Sequence, residues 1–292
     1  MIKLKKAYPN DKDRIMPVIL DGFDFNEFSR STQIKLKQFW IELFDLDWKS
    51  EEDHIGYYLE NEKGQVVGFD GYLFSERKIH GNVYKFCNLS TWVVKKDYRH
   101  YGLMLLKPLL DLKKTHIITN QTPNPAGYSV LTTRFKFSVL EENKLFIPAI
   151  LNLKLMFNKL PRISNDIDTL RLSDDEHEIY MDHSKTKLKF VQIEVNSQLI
   201  LLAYRRKTIK RMPFVEIHYI SNRPLFIQNL SSIRLIITLR TKSVAIIIDS
   251  RLINYSKPSF TYQHKMTHPK LFSGNASLKG DIDNLYSELT IL

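Results

Sequence analysis

The sequence is poor in cysteine, glycine and proline, and it lacks long apolar runs. Cys87 is the single cysteine among 292 residues, so an internal disulfide is impossible and a secreted, disulfide-stabilised design is excluded. The 10 glycines and 11 prolines form no repetitive tract, which argues against disorder and solenoid repeats. Charged residues follow Met1 without a signal-peptide segment, and the longest apolar runs, such as 244–248, are too short to span a membrane. We therefore expect a globular protein without a transmembrane segment, in the cytoplasm.

Charge is the next constraint. The chain has 43 basic and 32 acidic side chains and a net charge of +11, which favours anionic partners such as nucleotide phosphates. The basic residues are scattered, and no motif typical of nucleic-acid binding accompanies them. His177 and His183 lie among acidic residues, but their spacing is not that of metal ligands, so residues 173–178 are interpreted as a solvated loop or helix start and no metal site is expected.

Hydrophobic periodicity in the first half predicts a mixed α/β domain. Residues 2–7 alternate apolar and basic side chains as a half-buried strand does, and Asp11 stands at the N-cap position of a following helix. Gly64 supplies the positive φ needed by a tight turn between two strands. The predicted order is strand 2–7, a helix from Asp11, helix 31–44 capped by Ser31 or Thr32, strands 55–60, 65–74 and 83–94, helix 102–114 kinked at Pro108, strand 115–119, helix 126–134 and strand 137–140.

The second half predicts another α/β unit, which we interpret as an imperfect copy of the first. An apolar stretch at 149–160, between Pro148 and Pro161, is predicted to form a connecting helix. After it come strands at 188–193, 199–204, 213–220 and 244–248, and a helix at 226–233. We therefore expect a first domain at 1–142, a connecting segment at 143–166 and a second α/β lobe at 167–292.

Two polar segments near the end of the chain have two interpretations each. Residues 263–270 are cation-rich and suit an anionic ligand, or else form a solvated loop. Residues 285–292 are predicted as a strand that brings Tyr286 and Glu288 to a cleft, although an edge strand fits the same alternation.

The most informative segment follows the strand at 83–94. Trp92-Val93-Val94 ends the strand, a short loop follows, and Arg99-His100-Tyr101-Gly102-Leu103-Met104 leads into the apolar helix. This arrangement resembles the acyl-CoA-binding motif of the GNAT (GCN5-related N-acetyltransferase) superfamily, in which Arg/Gln-x-x-Gly-x-Gly/Ala follows a strand ending in Val. Val94, Arg99 and Gly102 match the motif, whereas Met104 stands where Gly or Ala is usual.

The resemblance extends over residues 1–142. The opening strand and helix, the strand containing Val66-Val67-Gly68, and Phe137 at the position of the family's Gly-Phe all fall in the family's order. The resemblance implies a GNAT-like mixed central sheet flanked by helices. The second lobe invites comparison, at the level of fold only, with two-lobed relatives such as the peptidoglycan aminoacyltransferases and N-myristoyltransferases.

The resemblance also implies a site for acetyl-CoA or another acyl-CoA as co-substrate. The pyrophosphate would lie against backbone N–H groups at a helix N-terminus, where the helix dipole favours an anion. Met104 would narrow that approach or turn outward. The alternative is an ordinary strand-to-helix turn with exposed polar residues. The expected cofactor-binding residues are Trp92, Val93, Val94, Arg99, His100, Tyr101, Gly102, Leu103 and Met104.

Acyl transfer requires a deprotonated nucleophile, a stabilised oxyanion and a leaving thiolate. Many family members use a tyrosine about five residues before the Phe of Gly-Phe as the acid, but Thr132 and Lys136 occupy the tyrosine and glycine positions here. Tyr128, one helical turn earlier, is the candidate acid, with a packed or surface tyrosine as the alternative.

Two residues are candidates for the base. Asp70 lies in an otherwise apolar strand, where its pKa would be raised, and it is the first candidate; a solvent-facing or bulge position is the alternative. His116, on a strand that with Ser90 would flank the cleft, is the second candidate, and a packed core histidine is its alternative. Cys87 is interpreted as a buried structural thiol.

The predicted activity is therefore acyl-CoA-dependent N- or O-acylation of a small-molecule acceptor. An amino sugar or a sugar nucleotide of cell-surface polysaccharide synthesis is the acceptor class considered first. An anionic acceptor would suit the net charge and the cation-rich residues 263–270, and the second lobe is expected to help shape the acceptor side. One alternative is a two-lobed aminoacyl- or acyltransferase of cell-envelope synthesis. Another is a noncatalytic GNAT-like module that senses a ligand or binds a protein, which the replacement of the usual tyrosine by Thr132 keeps open.

Overall fold

The computed structural model describes residues 1–23, 27–149, 160–256 and 258–292. The chain forms two compact units. Unit 1 consists of Met1–Leu140, Lys270–Ala276 and Tyr286–Leu292, and unit 2 consists of Glu141–Pro269 and Ser277–Leu285. The predicted domain limits of 142 and 167 differ from this division, because two C-terminal segments belong to unit 1. The predicted connecting helix at 149–160 lies almost wholly outside the described residues.

Strands and helices alternate along the chain. The strands are β1 (Lys3–Ala7), β2 (Gly56–Glu60), β3 (Val66–Ile79), β4 (Asn82–Val94), β5 (Ile117–Asn120), β6 (Ser138–Pro148), β7 (Arg162–Ser164), β8 (Lys189–Val195), β9 (Gln198–Ile209), β10 (Met212–Ile220), β11 (Ala245–Asp249) and β12 (Tyr262–Ser273). The helices are α1 (Lys12–Gly22), α2 (Arg30–Phe44), α3 (Gly102–Leu105), α4 (Leu109–Leu112), α5 (Pro125–Thr133), α6 (Asp174–His183), α7 (Arg223–Gln228) and α8 (Leu230–Thr241). In the described part of the chain, no helix is both long and apolar enough to cross a membrane.

The sheet of unit 1 has the order β1-β2-β3-β4-β5-β12. Neighbours from β1 to β4 are antiparallel, β4 and β5 are parallel, and β5 is antiparallel to the end of β12. The parallel pair requires a crossover, which α3 and α4 provide. Gly64 has a φ of +73° in the β2–β3 turn, as predicted.

The sheet of unit 2 has the order β6-β11-β10-β9-β8-β7 and repeats the topology of unit 1. Strands β8, β9 and β10 are antiparallel, β10 and β11 are parallel across α7 and α8, and β11 is antiparallel to β6. The mixed α/β fold class and the interpretation of the second half as a copy of the first are both confirmed.

The last strand of each unit comes from the other half of the sequence. Strand β6 follows β5 in the chain, but its residues from Lys144 pair with β11 of unit 2. Strand β12 follows β11, but Leu271–Ser273 pair with β5 of unit 1. Each sheet is therefore completed by a strand from the other half of the sequence.

Several local expectations need correction. Ser29, rather than Ser31 or Thr32, caps α2, because its Oγ accepts a hydrogen bond from the Thr32 N–H at 3.4 Å. The helix predicted at 102–114 is broken into the single turns α3 and α4, since Pro108 has no N–H to continue it. Residues 263–270, one candidate for a solvated loop, lie in β12. Residues 285–292 form no strand; the last regular element is a 3-10 turn at Glu288–Thr290.

Candidate active site

The parallel ladder between β4 and β5 is short, and this shapes the candidate site. Its pairs are Phe86 with Ile117, Cys87 with Ile118 and Asn88 with Thr119. In the described residues β5 ends at Asn120, while β4 continues to Val94 paired with β3 alone. The backbone of residues 89–94 on the β5 side is therefore left outside the ladder, and an extended ligand containing amide groups can hydrogen-bond to such an edge.

A β-bulge lies just after the last β4–β5 pair. Gly71 pairs with Thr91 and Tyr72 pairs with Leu89, so Ser90 is an extra residue in β4. The Ser90 hydroxyl donates to the Gly71 carbonyl at 3.1 Å. Bulges bend a strand and are frequent beside functional sites. This bulge bends β4 where its residues 89–94 are no longer paired with β5.

The turn after β4 contains the predicted cofactor motif. Lys96–Tyr101 form a 3-10 helix that leads into α3, with Arg99 and His100 exposed. The Gly102 N–H donates to the Arg99 carbonyl, so this one backbone donor of the motif is already used.

Gly102 is not required by its own backbone or packing. Its φ is −53°, and an added Cβ would make ordinary contacts of 3.5 Å with Trp92 and 3.6 Å with Val94. The close approach of a ligand to the backbone would explain a glycine at position 102, whereas the packing of the protein interior does not.

The other predicted cofactor-binding residues lie around the same turn. The Trp92 indole N–H donates to the Gly102 carbonyl at 3.2 Å, which ties β4 to the turn. Val94 and Met104 pack against a small core of Leu59, Val67 and Leu105, as do Trp92 and Tyr101, and Val93 is buried while Leu103 is exposed. Met104 therefore does not turn wholly outward.

Tyr128 and Thr132 both lie on α5. The Thr132 hydroxyl donates to the Tyr128 carbonyl at 2.8 Å, a bond within the helix. The Tyr128 side chain packs at the margin of the core cluster that contains Leu89 and Leu106. Tyr128 therefore lies on α5 as a partly buried residue packed against this core, and its role as an acid stays a prediction.

Asp70 is buried, and its surroundings are mostly apolar. It is 1% exposed, it pairs across the sheet with Tyr57 and Trp92, and its Oδ2 has no hydrogen-bond partner. Burial raises the pKa of Asp70 well above the ordinary value, and a hydrogen bond with Tyr72 offsets only part of this. The raised pKa favours the protonated form of Asp70 more than in an exposed aspartate.

His116 lies at the other end of β5. It precedes Ile117, the first residue of the ladder, whereas the strands separate after Thr119. Its Nδ1 is 2.9 Å from the Thr115 hydroxyl, and burial lowers its pKa. Cys87 is fully buried, and burial raises the pKa of its thiol well above the ordinary value, in agreement with a structural role.

A polar network around Glu288, a residue that the sequence pattern expected near a cleft but without these partners, lies at the point where β4 and β5 separate. Glu288, 3% exposed, accepts hydrogen bonds from the Asn88 amide and the Thr122 hydroxyl, each at 2.5 Å. Asn88 in turn accepts from the Thr119 hydroxyl at 2.9 Å. Burial raises the pKa of Glu288, although these donors and Lys270 oppose the shift.

A cavity of about 220 Å³ also lies in unit 1, at the edge of β3, and one of its lining residues, Tyr72, pairs with Leu89 of β4. Asp47, Glu52 and Asp53 contribute carboxylates to its lining. His54 Nε2 is 3.3 Å from Glu52, and burial lowers the pKa of His54. Trp48 and Tyr72 are among its aromatic walls. In the described residues, no group of three or more His, Cys, Asp or Glu side chains is placed to hold a metal.

Comparison with solved structures identifies the fold. A GCN5-related N-acetyltransferase from Anabaena variabilis superposes with a TM-score of 0.56 and 10% identity, over 93% of this chain and 72% of that chain. A conserved protein from Enterococcus faecalis gives a TM-score of 0.57 and 11% identity over the same shares. A glucosamine N-acetyltransferase region of a fungal multi-domain β-N-acetylglucosaminidase gives 0.55 and 10%, over 93% of this chain and 38% of that one.

The chain therefore has the fold of the GCN5-related N-acetyltransferases, in a form with two α/β units. No protein-family model and no curated protein sequence matches it. The predicted GNAT fold is confirmed by the structure.

Proposed function

We propose that the protein transfers an acyl group from acetyl-CoA or another acyl-CoA to an amine of a small acceptor. The observation that carries this proposal is the separation of β4 from β5 after Asn88 and Thr119, with the Ser90 bulge beside it, in a chain with the GNAT fold. The separation leaves a strand edge beside the motif turn that leads to Gly102.

The cofactor arm fits this edge chemically. The pantetheine arm of CoA is extended and contains amides, so it can pair with the free backbone of residues 89–94 as an added strand does. Its thioester would then lie near Leu89 and Ser90, with the pyrophosphate at residues 99–104. Arg99 is exposed at that turn and supplies a fork of donors suited to phosphate.

Acyl transfer needs two proton transfers, one to the departing thiolate and one from the acceptor, and we assign them to different residues. Tyr128 is proposed to protonate or solvate the departing thiolate. A proton acceptor is needed for an ammonium acceptor, which cannot attack until it loses a proton. Glu288 stands first by position, because it hydrogen-bonds to the last β4 residue of the ladder. Asp70 and His116 remain candidates from sequence.

An amino sugar is the acceptor class we propose first. The cavity at the edge of β3 is lined by three carboxylates and by aromatic rings, a combination that suits an ammonium group on a sugar ring. A structural neighbour described as a glucosamine N-acetyltransferase region supports the same class.

The test is calorimetric titration with acetyl-CoA and CoA, followed by measurement of CoA release with glucosamine as acceptor. The double variant Arg99→Ala, Gly102→Val is expected to weaken CoA binding at least tenfold. It removes a cation exposed at the turn, and it places a branched side chain against Trp92 and Val94, which would shift the backbone of the turn. Lys96→Ala, a change at another exposed cation of the same turn, serves as the matched control. Wild-type CoA affinity in a folded double variant would rule out this placement.

Noncatalytic binding is the second candidate function. The Thr132 hydroxyl is engaged within α5, so it does not replace the usual tyrosine. Tight acetyl-CoA binding without CoA release across a panel of amines would favour this candidate, and acceptor-dependent release would exclude it.

A further inference from the structure

Unit 2 repeats the geometry of the candidate active site with different chemistry. Strands β10 and β11 pair from Phe214 with Ala245 to Glu216 with Ile247, and then their ladder ends in the described residues. A register shift against β9 makes His218 the extra residue, two positions after Glu216. Glu216 and His218 thus correspond to Asn88 and Ser90 of unit 1.

Three cations surround Glu216. Lys144 Nζ lies 2.5 Å from Oε1, Arg205 Nη2 lies 2.8 Å from Oε2, and Lys207 Nζ lies 3.1 Å from Oε1. The neighbouring Asp249 is engaged by Arg251 at 2.6 Å. One carboxylate therefore shares three cations, and the group keeps an excess of positive charge.

The excess positive charge lies in a region that is only partly exposed to solvent. The side chains of Arg205, Lys144 and Lys207 are 13%, 20% and 33% exposed, so a ligand can reach them although much of their surface is desolvated. Burial, with repulsion from Lys144 and Arg205, lowers the pKa of Lys207. The cations also hold the pKa of Glu216 well below its ordinary value against the opposing effect of burial. An added anion would relieve the repulsion.

Aromatic rings border the same face of the sheet. Phe146 lies two residues after Lys144 on β6, and its ring centre is 6.0 Å from that of Tyr262 and 6.4 Å from that of His264. The main hydrophobic core of unit 2 lies on the opposite face, beneath α7 and α8. The cations thus adjoin a surface against which a ring or sugar can pack.

We propose that Lys144, Arg205 and Lys207 bind a dianionic phosphate group of a small molecule, with the remainder of that molecule against Phe146 and Tyr262. Three cations less one carboxylate match a dianion in charge. The planar Arg205 guanidinium and two lysine point charges are the donors that proteins use for phosphate. This site in unit 2 does not depend on acyl-CoA binding by unit 1.

The first test uses inorganic phosphate at pH 8, where it is a dianion, followed by calorimetry and thermal shift, with sodium chloride at equal ionic strength as reference. Lys207→Gln is expected to weaken phosphate binding by about tenfold or more, since it removes one charge-assisted contact. Arg206→Gln, at the exposed neighbouring residue of β9, is the matched control and should bind as the wild type does. Equal binding by Lys207→Gln and the wild type, or no effect beyond that of chloride, would overturn the site.

A second variant is expected to change phosphate affinity in the opposite direction. Glu216→Gln removes the competing carboxylate, so the folded variant should bind phosphate more tightly than the wild type; weaker or unchanged binding contradicts the proposal. If this variant does not fold, Lys207→Gln decides alone. Acetyl-CoA affinity should be unchanged in Lys207→Gln, and a parallel loss would mean that the cations hold a phosphate of CoA instead of a separate ligand.

Discussion

At the scale of single residues, two buried carboxyl groups of unit 1 differ in their partners. Asp70 has one oxygen without a hydrogen bond, whereas both oxygens of Glu288 accept hydrogen bonds. Burial raises the pKa of both groups. A carboxyl group whose pKa is higher in the folded state stabilises the fold most at low pH, and that contribution is lost as pH rises from the unfolded value towards the folded one.

Asp70→Asn is expected to become more stable relative to the wild type as pH rises. The amide cannot ionise, so the variant avoids the cost of charging a buried group, about 1.4 kcal/mol for each unit of pKa shift. Melting temperatures of both proteins between pH 5 and pH 9 measure the difference, and Asp111→Asn on the exposed surface is the control. A difference that does not increase with pH would contradict a raised pKa for the buried Asp70.

Glu288→Gln is expected to slow acyl transfer by about 10²–10⁴-fold if Glu288 accepts the acceptor's proton, while acetyl-CoA affinity stays as in the wild type. The wild-type rate should rise with pH through the raised pKa of Glu288, and the variant should lose that rise. Glu142→Gln, at a partly exposed carboxylate of unit 2, is the control. If the variant keeps the wild-type rate and pH profile, the role passes to Asp70 or His116.

At the scale of elements, strand β12 shows why some predictions failed. Tyr262, Gln263, His264 and Lys265 are exposed, so the first half of the strand has the polar composition of a loop. Only the final residues are buried, and their partner β5 lies about 150 positions earlier in the chain. Local periodicity could not reveal such a distant pairing.

Leu271→Ala in β12 is expected to destabilise unit 1. Leu271 is fully buried in the core cluster with Leu131 and Phe137, and a buried leucine truncated to alanine costs roughly 2–5 kcal/mol. Hydrogen exchange should accelerate in β5, while β8 and β9 of unit 2 keep their protection. Leu239→Ala, at a leucine 66% exposed on α8, should change neither, and faster exchange confined to unit 2 would contradict the assignment of β12 to unit 1.

At the scale of the whole molecule, the sequence predicted the fold better than the site. Apolar alternation located most strands of both units, and Val94, Arg99 and Gly102 pointed to the GNAT fold that the structure confirms. The alternation near the end of the chain pointed to Glu288, but its partners Asn88 and Thr122 could not be predicted, because they lie 200 and 166 residues away in the chain. The cofactor-binding and catalytic assignments stay predictions.

The exchanged strands also affect the order in which the protein can fold during its synthesis. A chain emerging from the ribosome folds from its N-terminus, but the sheet of unit 1 waits for Leu271–Ser273, and its polar network waits for Glu288. Residues 92–104, which are proposed to bind the acyl donor, are synthesised well before Leu271–Ser273 and Glu288, which complete the sheet and the polar network of unit 1. Until synthesis passes Glu288, the nascent protein lacks this carboxylate, so the proposed catalysis starts only when almost the whole described chain has been translated.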